Sequence, residues 1–228
     1  MPGVLQRSRI PLRLVPRAFI EEAAREESVT PEELDAAVTP DLRRALDRAV
    51  RRWRAAAPAW TRLDFTMQHQ QELQWCWAAV SVSVSLHYDP QGDWTQCRMA
   101  GSELDRDCCR DGSSSACDRP HPLDPALSRA GVLERMERGS VAFEAVRQEI
   151  DAGRPLAWRI GWRLGGGHFA VIEACGMPSG PWVAVDDPKF GRSDCTIATL
   201  TDGDYLGSGR WTHTYFTRPA PGSDGGDR

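Results

Sequence analysis

Four apolar segments in the second half of the chain most constrain its fold. They are rich in residues that favour β-strands, and clusters of Gly, Pro or Asp separate them as turns do. The segments are residues 156–162, 168–174, 182–185 and 211–217. Helical patterns precede them: Asp124-Pro125 begins a short helix that ends near Gly131, and another helix begins after Ser140 and ends at Gly153. Helices followed by strands predict an α+β fold with an antiparallel sheet.

One segment before these helices is ambiguous. Residues 80–86 alternate between apolar residues and serine without interruption. Strict alternation is typical of a half-buried strand. Periodicity alone therefore predicts a strand for residues 80–86.

The composition indicates a globular chain, whose length suits one sizeable domain with an extension or two small units. The chain has 228 residues, of which 41% are hydrophobic and 26% are charged. A net charge of −4 provides no overall basic surface, which argues against nucleic acid as a partner. The sequence contains no run of 18 apolar residues, so membrane insertion is not expected.

The two signals for cellular location disagree. Pro11 and Pro16 interrupt any apolar segment near the N-terminus, which argues against a secretory signal peptide. The seven cysteines argue the other way, because small exported domains are often rich in disulfides. The location therefore stays open between the cytoplasm and export by a non-classical or specialised secretion route.

Cys76 is the candidate nucleophile. It lies between Trp75 and Trp77 and directly before two alanines, a setting that suits a helix start packed on a core. His168 follows three glycines and leads into an apolar segment, where it could serve as the general base for a thiol. Taken singly, Cys76 could instead be an inert buried thiol or half of a disulfide, and His168 a hydrogen-bonded structural histidine.

A candidate carboxylate ends the next apolar segment. Asp187 precedes Pro188 directly, and a carboxylate at the end of a neighbouring strand can accept the imidazole N–H and fix its tautomer. Asp186 is the alternative residue for this role. Either acid could instead simply form a turn.

These residues together resemble the papain-like cysteine peptidases. More narrowly, they resemble the bacterial papain-like family that includes a plant-pathogen effector protease, and they are similar to the peptidase domains that remove leader peptides from exported bacteriocins. The resemblance covers roughly residues 63–217. The matching positions are Gln70, residues 75–79, residues 153–155, residues 166–172, Asp187, Pro188, Gln96, Cys97, Cys108, Cys109, Cys117 and Tyr215.

The resemblance implies a two-lobed fold, with a helical left lobe that carries the nucleophile helix, an antiparallel β-sheet right lobe and an active site between them. Residues 80–86 are accordingly expected to be helical in spite of their alternation. A helix N-terminus at Cys76 would stabilise a thiolate. The implied roles are nucleophile for Cys76, base for His168 and orienting carboxylate for Asp187.

The resemblance also implies a side chain for the oxyanion. Gln70 lies six positions before Cys76, the papain-like spacing for the glutamine that stabilises the oxyanion together with a backbone N–H. Gln68 and Gln71 are close enough in sequence to be alternatives.

The predicted function is that of a cysteine endopeptidase, which hydrolyses peptide bonds of a protein or peptide substrate through a thioester acyl-enzyme. No metal or organic cofactor is implied. Two alternatives remain open. A papain-like toxin or effector could use the same triad to deamidate glutamine or to transfer an acyl group, and a binding module could retain a dormant site.

The other six cysteines are even in number, as disulfides require. Four of them lie close in sequence and could in principle bind zinc, but vicinal cysteines are a poor ligand pair. We expect disulfides within this group, and one between Cys175 and Cys195, in an oxidising compartment. The four are Cys97, Cys108, Cys109 and Cys117.

The expected domain organisation has three parts: a helical N-terminal extension at residues 1–60, the peptidase domain at 61–218 and a disordered tail at 219–228. A helix of the extension begins after Thr39-Pro40, and its apolar residues from Leu42 to Trp53 form one stripe. The stripe could pack on the rest of the chain. Alternatively, the extension could be an inhibitory or targeting segment that binds another protein.

Overall fold

The structure is a computed structural model that describes residues 60–177 and 180–221. Residues 61–176 and 181–221 belong to one compact unit, which contains every candidate site residue. The expected helix of the N-terminal extension, its apolar stripe and most of the expected tail lie outside the described residues. Within those residues, no helix has both the length and the apolar character needed to cross a bilayer.

Helices predominate in the first part of the described chain, and strands predominate in the second. In chain order, the elements are β1 (Trp60–Arg62), α1 (Cys76–Tyr88), α2 (Gln96–Leu104), α3 (Leu123–Arg129), β2 (Leu133–Arg138), α4 (Phe143–Asp151), β3 (Leu156–Trp162), β4 (Gly167–Gly176), β5 (Trp182–Asp187), β6 (Gly191–Thr196), α5 (Ile197–Asp202) and β7 (Gly209–Thr217).

The described strands form one seven-stranded sheet in the order β2-β7-β3-β4-β5-β6, and β1 pairs with β4 outside this path. The neighbours along the path are antiparallel. The predicted α+β fold with an antiparallel sheet is therefore confirmed. The predicted helices correspond to α3 and α4, and the four predicted strands correspond to β3, β4, β5 and β7.

The sequence missed strands that lack an apolar pattern. β2 and β6 lie at the two ends of the path, and most of their residues are exposed or half-buried. An end strand needs no continuous apolar face, so charged residues are tolerated there and help to prevent edge-to-edge association. β1, α2 and α5 are also absent from the sequence-based prediction.

Helix α1 shows why the alternation of residues 80–86 is misleading. Every residue from Cys76 to Ser85 is buried, so this part of the helix has no solvent-exposed face. Its sequence therefore lacks the alternation of apolar and polar faces that identifies a surface helix. The serines are accommodated by local hydrogen bonds: the Ser83 hydroxyl donates to the carbonyl of Ala79 at 2.7 Å. The helix implied by the resemblance is confirmed, and the strand predicted by periodicity is wrong.

Two disulfides stabilise the helical part of the fold. Cys97 of α2 is bonded to Cys109, and Cys108 is bonded to Cys117. Three of these cysteines lie in residues 105–122, between α2 and α3, which we call the disulfide loop. Cys108 and Cys117 are buried with the core residues around α1.

The expected bond between Cys175 and Cys195 is wrong, because both thiols are free in the described structure. Cys175 of β4 and Cys195 of β6 both pair with Val183 of β5, from opposite sides of that strand. Two strand spacings separate their backbones by roughly 9–10 Å. A disulfide cannot span more than about 7 Å between Cα atoms.

Candidate active site

Cys76 is the first residue of α1 and is almost buried, with 9% of its surface exposed. The disulfide loop fixes the two residues before it. The indole N–H of Trp75 donates to the carbonyl of Cys117 at 2.9 Å, and the backbone N–H of Gln74 donates to Asp118 Oδ1 at 2.7 Å. The position of the thiol therefore depends on residues about 40 positions further along the chain.

The start of α1 suits negative charge at Cys76. The first N–H groups of a helix have no acceptor inside the helix, and the helix dipole places partial positive charge there. No side chain caps this helix start. A thiolate, or the oxygen of a carbonyl under attack, would be stabilised at this position.

His168 and Asp187 meet on one face of the sheet. β4 and β5 are antiparallel with Val171 opposite Asp186, which places the next residue of β5, Asp187, beside Ala170. Because side chains alternate along a strand, Asp187 then shares a face with His168. The imidazole Nε2 lies 2.7 Å from Asp187 Oδ1, and both side chains are buried.

The same alternation turns Asp186 away. Burial raises the pKa of Asp186, although the positive charge of Arg192 acts to lower it. Asp186 pairs with Arg192 of β6 and directly precedes Asp187 in β5. It therefore lies on the other face of the sheet, and the structure brings Asp187 rather than Asp186 to His168.

Asp187 and Cys76 both interact with the imidazole of His168. Burial by itself lowers the pKa of His168, but its interactions with Asp187 and with the Cys76 side chain raise it to about 9. Since Nε2 is bonded to Asp187, Nδ1 is the nitrogen left for the thiol. The imidazolium is thus favoured over the neutral ring at neutral pH.

Asp187 accepts hydrogen bonds at both carboxylate oxygens. Oδ1 accepts from His168 and also from the backbone N–H groups of Lys189 and Phe190, at 2.8 and 3.0 Å. Oδ2 accepts from the Tyr205 hydroxyl at 3.0 Å. Burial alone would raise the pKa of Asp187, but the bond to His168, its charge and the two N–H bonds lower it. The carboxylate therefore stays charged although it is only 2% exposed.

Two aromatic rings flank the imidazole. Trp162, the last residue of β3, is stacked on His168 with ring centroids 6.3 Å apart, and Phe190 contacts it edge-on at 5.7 Å. Gly165 and Gly166 lie in the turn between β3 and β4, directly before the strand that carries His168. Their φ angles of +98° and +82° are in the left-handed region that favours glycine.

Gln70 is buried in the segment before Cys76. Its backbone N–H donates to the carbonyl of Pro188 at 2.9 Å, which ties this segment to the end of the strand that carries Asp187. Its side-chain Nε2 donates to the carbonyls of Glu72 and Leu73, both at 2.8 Å. Its Oε1 is buried and has no hydrogen-bond partner among the described residues.

The two alternative glutamines are placed differently. The Gln71 side chain is exposed, and its backbone N–H donates to Gln96 Oε1 at 2.9 Å. Gln68 Oε1 accepts from Gln96 Nε2 at 3.1 Å. Of the three candidates, Gln70 alone is buried.

Sequence reasoning missed the residues that surround the candidate triad: Asp118, Trp162, Phe190 and Tyr205. None of them stands next to a candidate residue in a recognisable pattern. Phe190 had one usable signal, since it lies within the turn that follows Asp187-Pro188. In the described residues, no group of three or more His, Cys, Asp or Glu side chains is arranged to hold a metal ion.

Comparison with known proteins places these features in a family. A family model described as papain-like cysteine protease AvrRpt2 matches residues 59–202, more than half of the chain. The solved structures that match include the Pseudomonas avirulence protein AvrPphB, at 11% identity and a TM-score of 0.32, over 68% of this chain and 98% of that one. A search of curated proteins found no match. The extent of the family match shows that the chain belongs to the AvrRpt2 family of papain-like cysteine proteases.

Proposed function

We propose that this protein hydrolyses peptide bonds as an endopeptidase, with Cys76, His168 and Asp187 as its catalytic triad. The observation that carries the proposal is the position of His168, which interacts with the Cys76 thiol and with the carboxylate of Asp187. The three side chains come from α1, β4 and β5, and His168 interacts with both of the others.

The chemistry follows from this order of contacts. His168 accepts the thiol proton, and the thiolate of Cys76 attacks the substrate carbonyl. The tetrahedral intermediate collapses as the imidazolium donates its proton to the leaving amine, which leaves a thioester on Cys76. A water molecule, deprotonated by His168, then attacks the thioester and releases the acid. Asp187 holds the imidazole and stabilises its charge throughout.

The oxyanion is proposed to bind at the backbone N–H of Cys76 and at the Gln70 amide. The N–H belongs to the first turn of α1, where backbone donors lack acceptors within the helix. Both N–H bonds of Gln70 face carbonyls in the structure, so its contribution requires the amide to turn towards the substrate. The same carbonyl contacts support a second contribution, in which Gln70 stabilises the backbone of residues 70–73.

Selective alkylation tests the nucleophile. Burial raises the pKa of Cys175 and of Cys195 to about 12, so both thiols stay protonated near neutral pH. Iodoacetamide at pH 7 should therefore modify Cys76 and abolish cleavage of a generic protein substrate.

The matched variants are Cys76→Ala and Cys175→Ala. Cys76→Ala should lose both labelling and hydrolysis, with a rate lower by several orders of magnitude, and Cys175→Ala should retain both. Full hydrolysis by Cys76→Ala would refute the proposal.

The reaction itself is tested on the products. Mass spectrometry of a peptide library should show new termini, which defines an endopeptidase. A gain of about one mass unit on glutamine without cleavage, or transfer of an acyl group, would replace hydrolysis by deamidation or acyl transfer with the same triad. We also propose a relation to the bacteriocin leader peptidases, which the sequence pattern suggests, and leader-containing peptides therefore belong in the library.

The role of residues 1–60 is also a proposal. We favour a packing role for this extension, because a stripe of apolar residues from Leu42 to Trp53 is suited to burial. Deletion should then lower the melting temperature without raising turnover. A truncated protein with a higher turnover on the same peptide would identify an inhibitory segment instead.

A further inference from the structure

Tyr205 contacts the candidate triad although it lies outside the residues that the family model matches and is not among the candidate residues of the sequence. It lies in the turn between α5 and β7, just beyond the matched residues 59–202, and is 3% exposed. Its hydroxyl donates to Asp187 Oδ2 at 3.0 Å. A buried hydroxyl on the carboxylate that faces His168 is not explained by the three catalytic roles alone.

The position of Tyr205 is fixed at both its backbone and its ring. Its N–H donates to the carbonyl of Gly209 at 3.1 Å, and the Gly209 N–H donates back to the carbonyl of Tyr205 at 2.7 Å. The ring packs edge-on against the buried indole of Trp158, with centroids 5.2 Å apart. Trp158 is in turn packed against Trp211 at 5.6 Å. The hydroxyl therefore projects from a rigid support.

The hydrogen bonds of Asp187 are divided between its two oxygens. The donors to Oδ1 are His168 and two backbone N–H groups, whereas Tyr205 is the donor to Oδ2 among the described residues. Without a donor at Oδ2, the carboxylate would be held at one oxygen only. It could then rotate about its Cβ–Cγ bond, and Oδ1 would move relative to the imidazole.

The electrostatic surroundings keep Tyr205 as the donor and Asp187 as the acceptor of their hydrogen bond. Burial and the negative charge of Asp187 raise the pKa of Tyr205 far above its usual value, so the phenol stays protonated and donates. The other side chains that act on this pair are His168 of β4, which bonds to Asp187, and Ser193 and Cys195 of β6, which lie near Tyr205.

We propose that Tyr205 is a positioning residue that holds Asp187 Oδ1 against His168 and, by hydrogen bonding to the charged carboxylate, opposes its protonation. The proposal rests on the proposed triad, because Tyr205 acts on the reaction only through Asp187. Tyr205 reaches the triad through Asp187, so its loss should lower the rate constant and leave substrate binding unchanged.

The test compares Tyr205→Phe with a matched control, Tyr88→Phe. Each change removes one hydroxyl that is hydrogen-bonded to another side chain. The partner of the Tyr88 hydroxyl is Thr217 Oγ1 at 2.8 Å, away from the triad. Tyr205→Phe keeps the ring on Trp158. Its kcat should fall about 10-fold, as expected for a hydrogen bond to a charged group, while KM stays unchanged.

The pH profile separates positioning from simple stabilisation. Loss of a donor to the charged carboxylate raises the pKa of Asp187, so the acid limb of kcat/KM should move to higher pH in Tyr205→Phe. Tyr88→Phe should change the melting temperature only. A Tyr205→Phe enzyme with the wild-type kcat and acid limb, whatever its melting temperature, would overturn the proposal.

A second measurement does not depend on catalysis. In Cys76→Ala protein, the imidazole proton shared between His168 and Asp187 should give a downfield resonance in the proton NMR spectrum, and Asp187→Asn identifies it by its disappearance. Adding Tyr205→Phe should shift or broaden this resonance, and adding Tyr88→Phe should not. An unchanged resonance would refute the role of Tyr205 even if Cys76 were shown not to be the nucleophile.

Discussion

The nucleophile region, around the proposed nucleophile Cys76, and the base region, around the proposed base His168, are built in different ways. Cys76 follows an irregular segment that is held by two hydrogen bonds to the disulfide loop. The indole of Trp75 donates to the carbonyl of Cys117, and the N–H of Gln74 donates to Asp118. His168 and Asp187 lie on neighbouring strands, and the register of β4 and β5 brings them together. The base region thus relies on a regular ladder, whereas the nucleophile region relies on a few specific long-range contacts.

This difference predicts where each region is vulnerable. A ladder distributes its support over many backbone hydrogen bonds, so a single side chain matters mainly for its own chemistry. An irregular segment has few such bonds, and each remote contact restricts its conformation. We therefore expect chemical effects from substitutions in the base region and positional effects from substitutions in the nucleophile region.

The largest effect is expected at the end of β5. Asp187→Ala should lower kcat/KM by roughly 10³-fold, because the imidazole loses the partner that orients it and stabilises its charge. Asp186→Ala removes a carboxylate from the adjacent position, but from the opposite face of the sheet, and should retain most activity. Steady-state kinetics on one peptide compare the two, and equal losses would show that the region acts through stability and not through chemistry.

The next effect is expected at Gln70, where the two regions are joined. Gln70→Ala should lower kcat by roughly 10²-fold if, as proposed, its amide donates to the oxyanion. The control is Gln71→Ala, whose side chain is exposed. If the melting temperature falls while kcat stays near the wild-type value, Gln70 serves only to stabilise the segment before Cys76.

A smaller effect on rate is expected from the disulfide loop. Replacing Cys108 and Cys117 with serine removes a buried crosslink of about 2–3 kcal/mol, which corresponds to a melting temperature roughly 5–10 °C lower for a domain of this size. Because the carbonyl of Cys117 accepts the Trp75 indole N–H, the turnover should also fall several-fold.

Cys175→Ser in the sheet is the control for that variant, since it alters a buried cysteine without breaking a crosslink. Thermal unfolding and turnover at a temperature where both variants are folded measure the outcome. Unchanged turnover in the disulfide variant would show that the loop stabilises the fold without positioning Cys76.

The smallest change is a gradual dependence on pH. The pKa of His168 is raised from 6.5 to about 9 in the folded protein. The stability contributed by the imidazolium is therefore fully present below about pH 6.5 and is lost as the pH rises through about 9. We expect kcat/KM to decline to half near pH 9, and the decline in Asp187→Ala to begin at lower pH. Identical alkaline limbs in both proteins would contradict the assigned source of the shift.

The base region was more readily predicted from the sequence than the nucleophile region. Apolar runs separated by turn residues identified β3, β4, β5 and β7, and these positions placed His168 near a strand start and Asp187 at a strand end. Around Cys76, the local pattern of residues 80–86 predicted the wrong structure, because a helix that is buried on all sides carries no periodicity. Only the resemblance to a known family predicted that helix.

By itself, the sequence determined the order of helices and strands in the second half, the candidate residues and the family pattern that they form. The tertiary structure decided which of two adjacent acids meets His168, which cysteines pair, and which tyrosine reaches Asp187. The physical reason is that these choices depend on strand register and on contacts between distant residues. Asp186 and Asp187 are equivalent in composition, but alternation along β5 places only one of them on the face of His168.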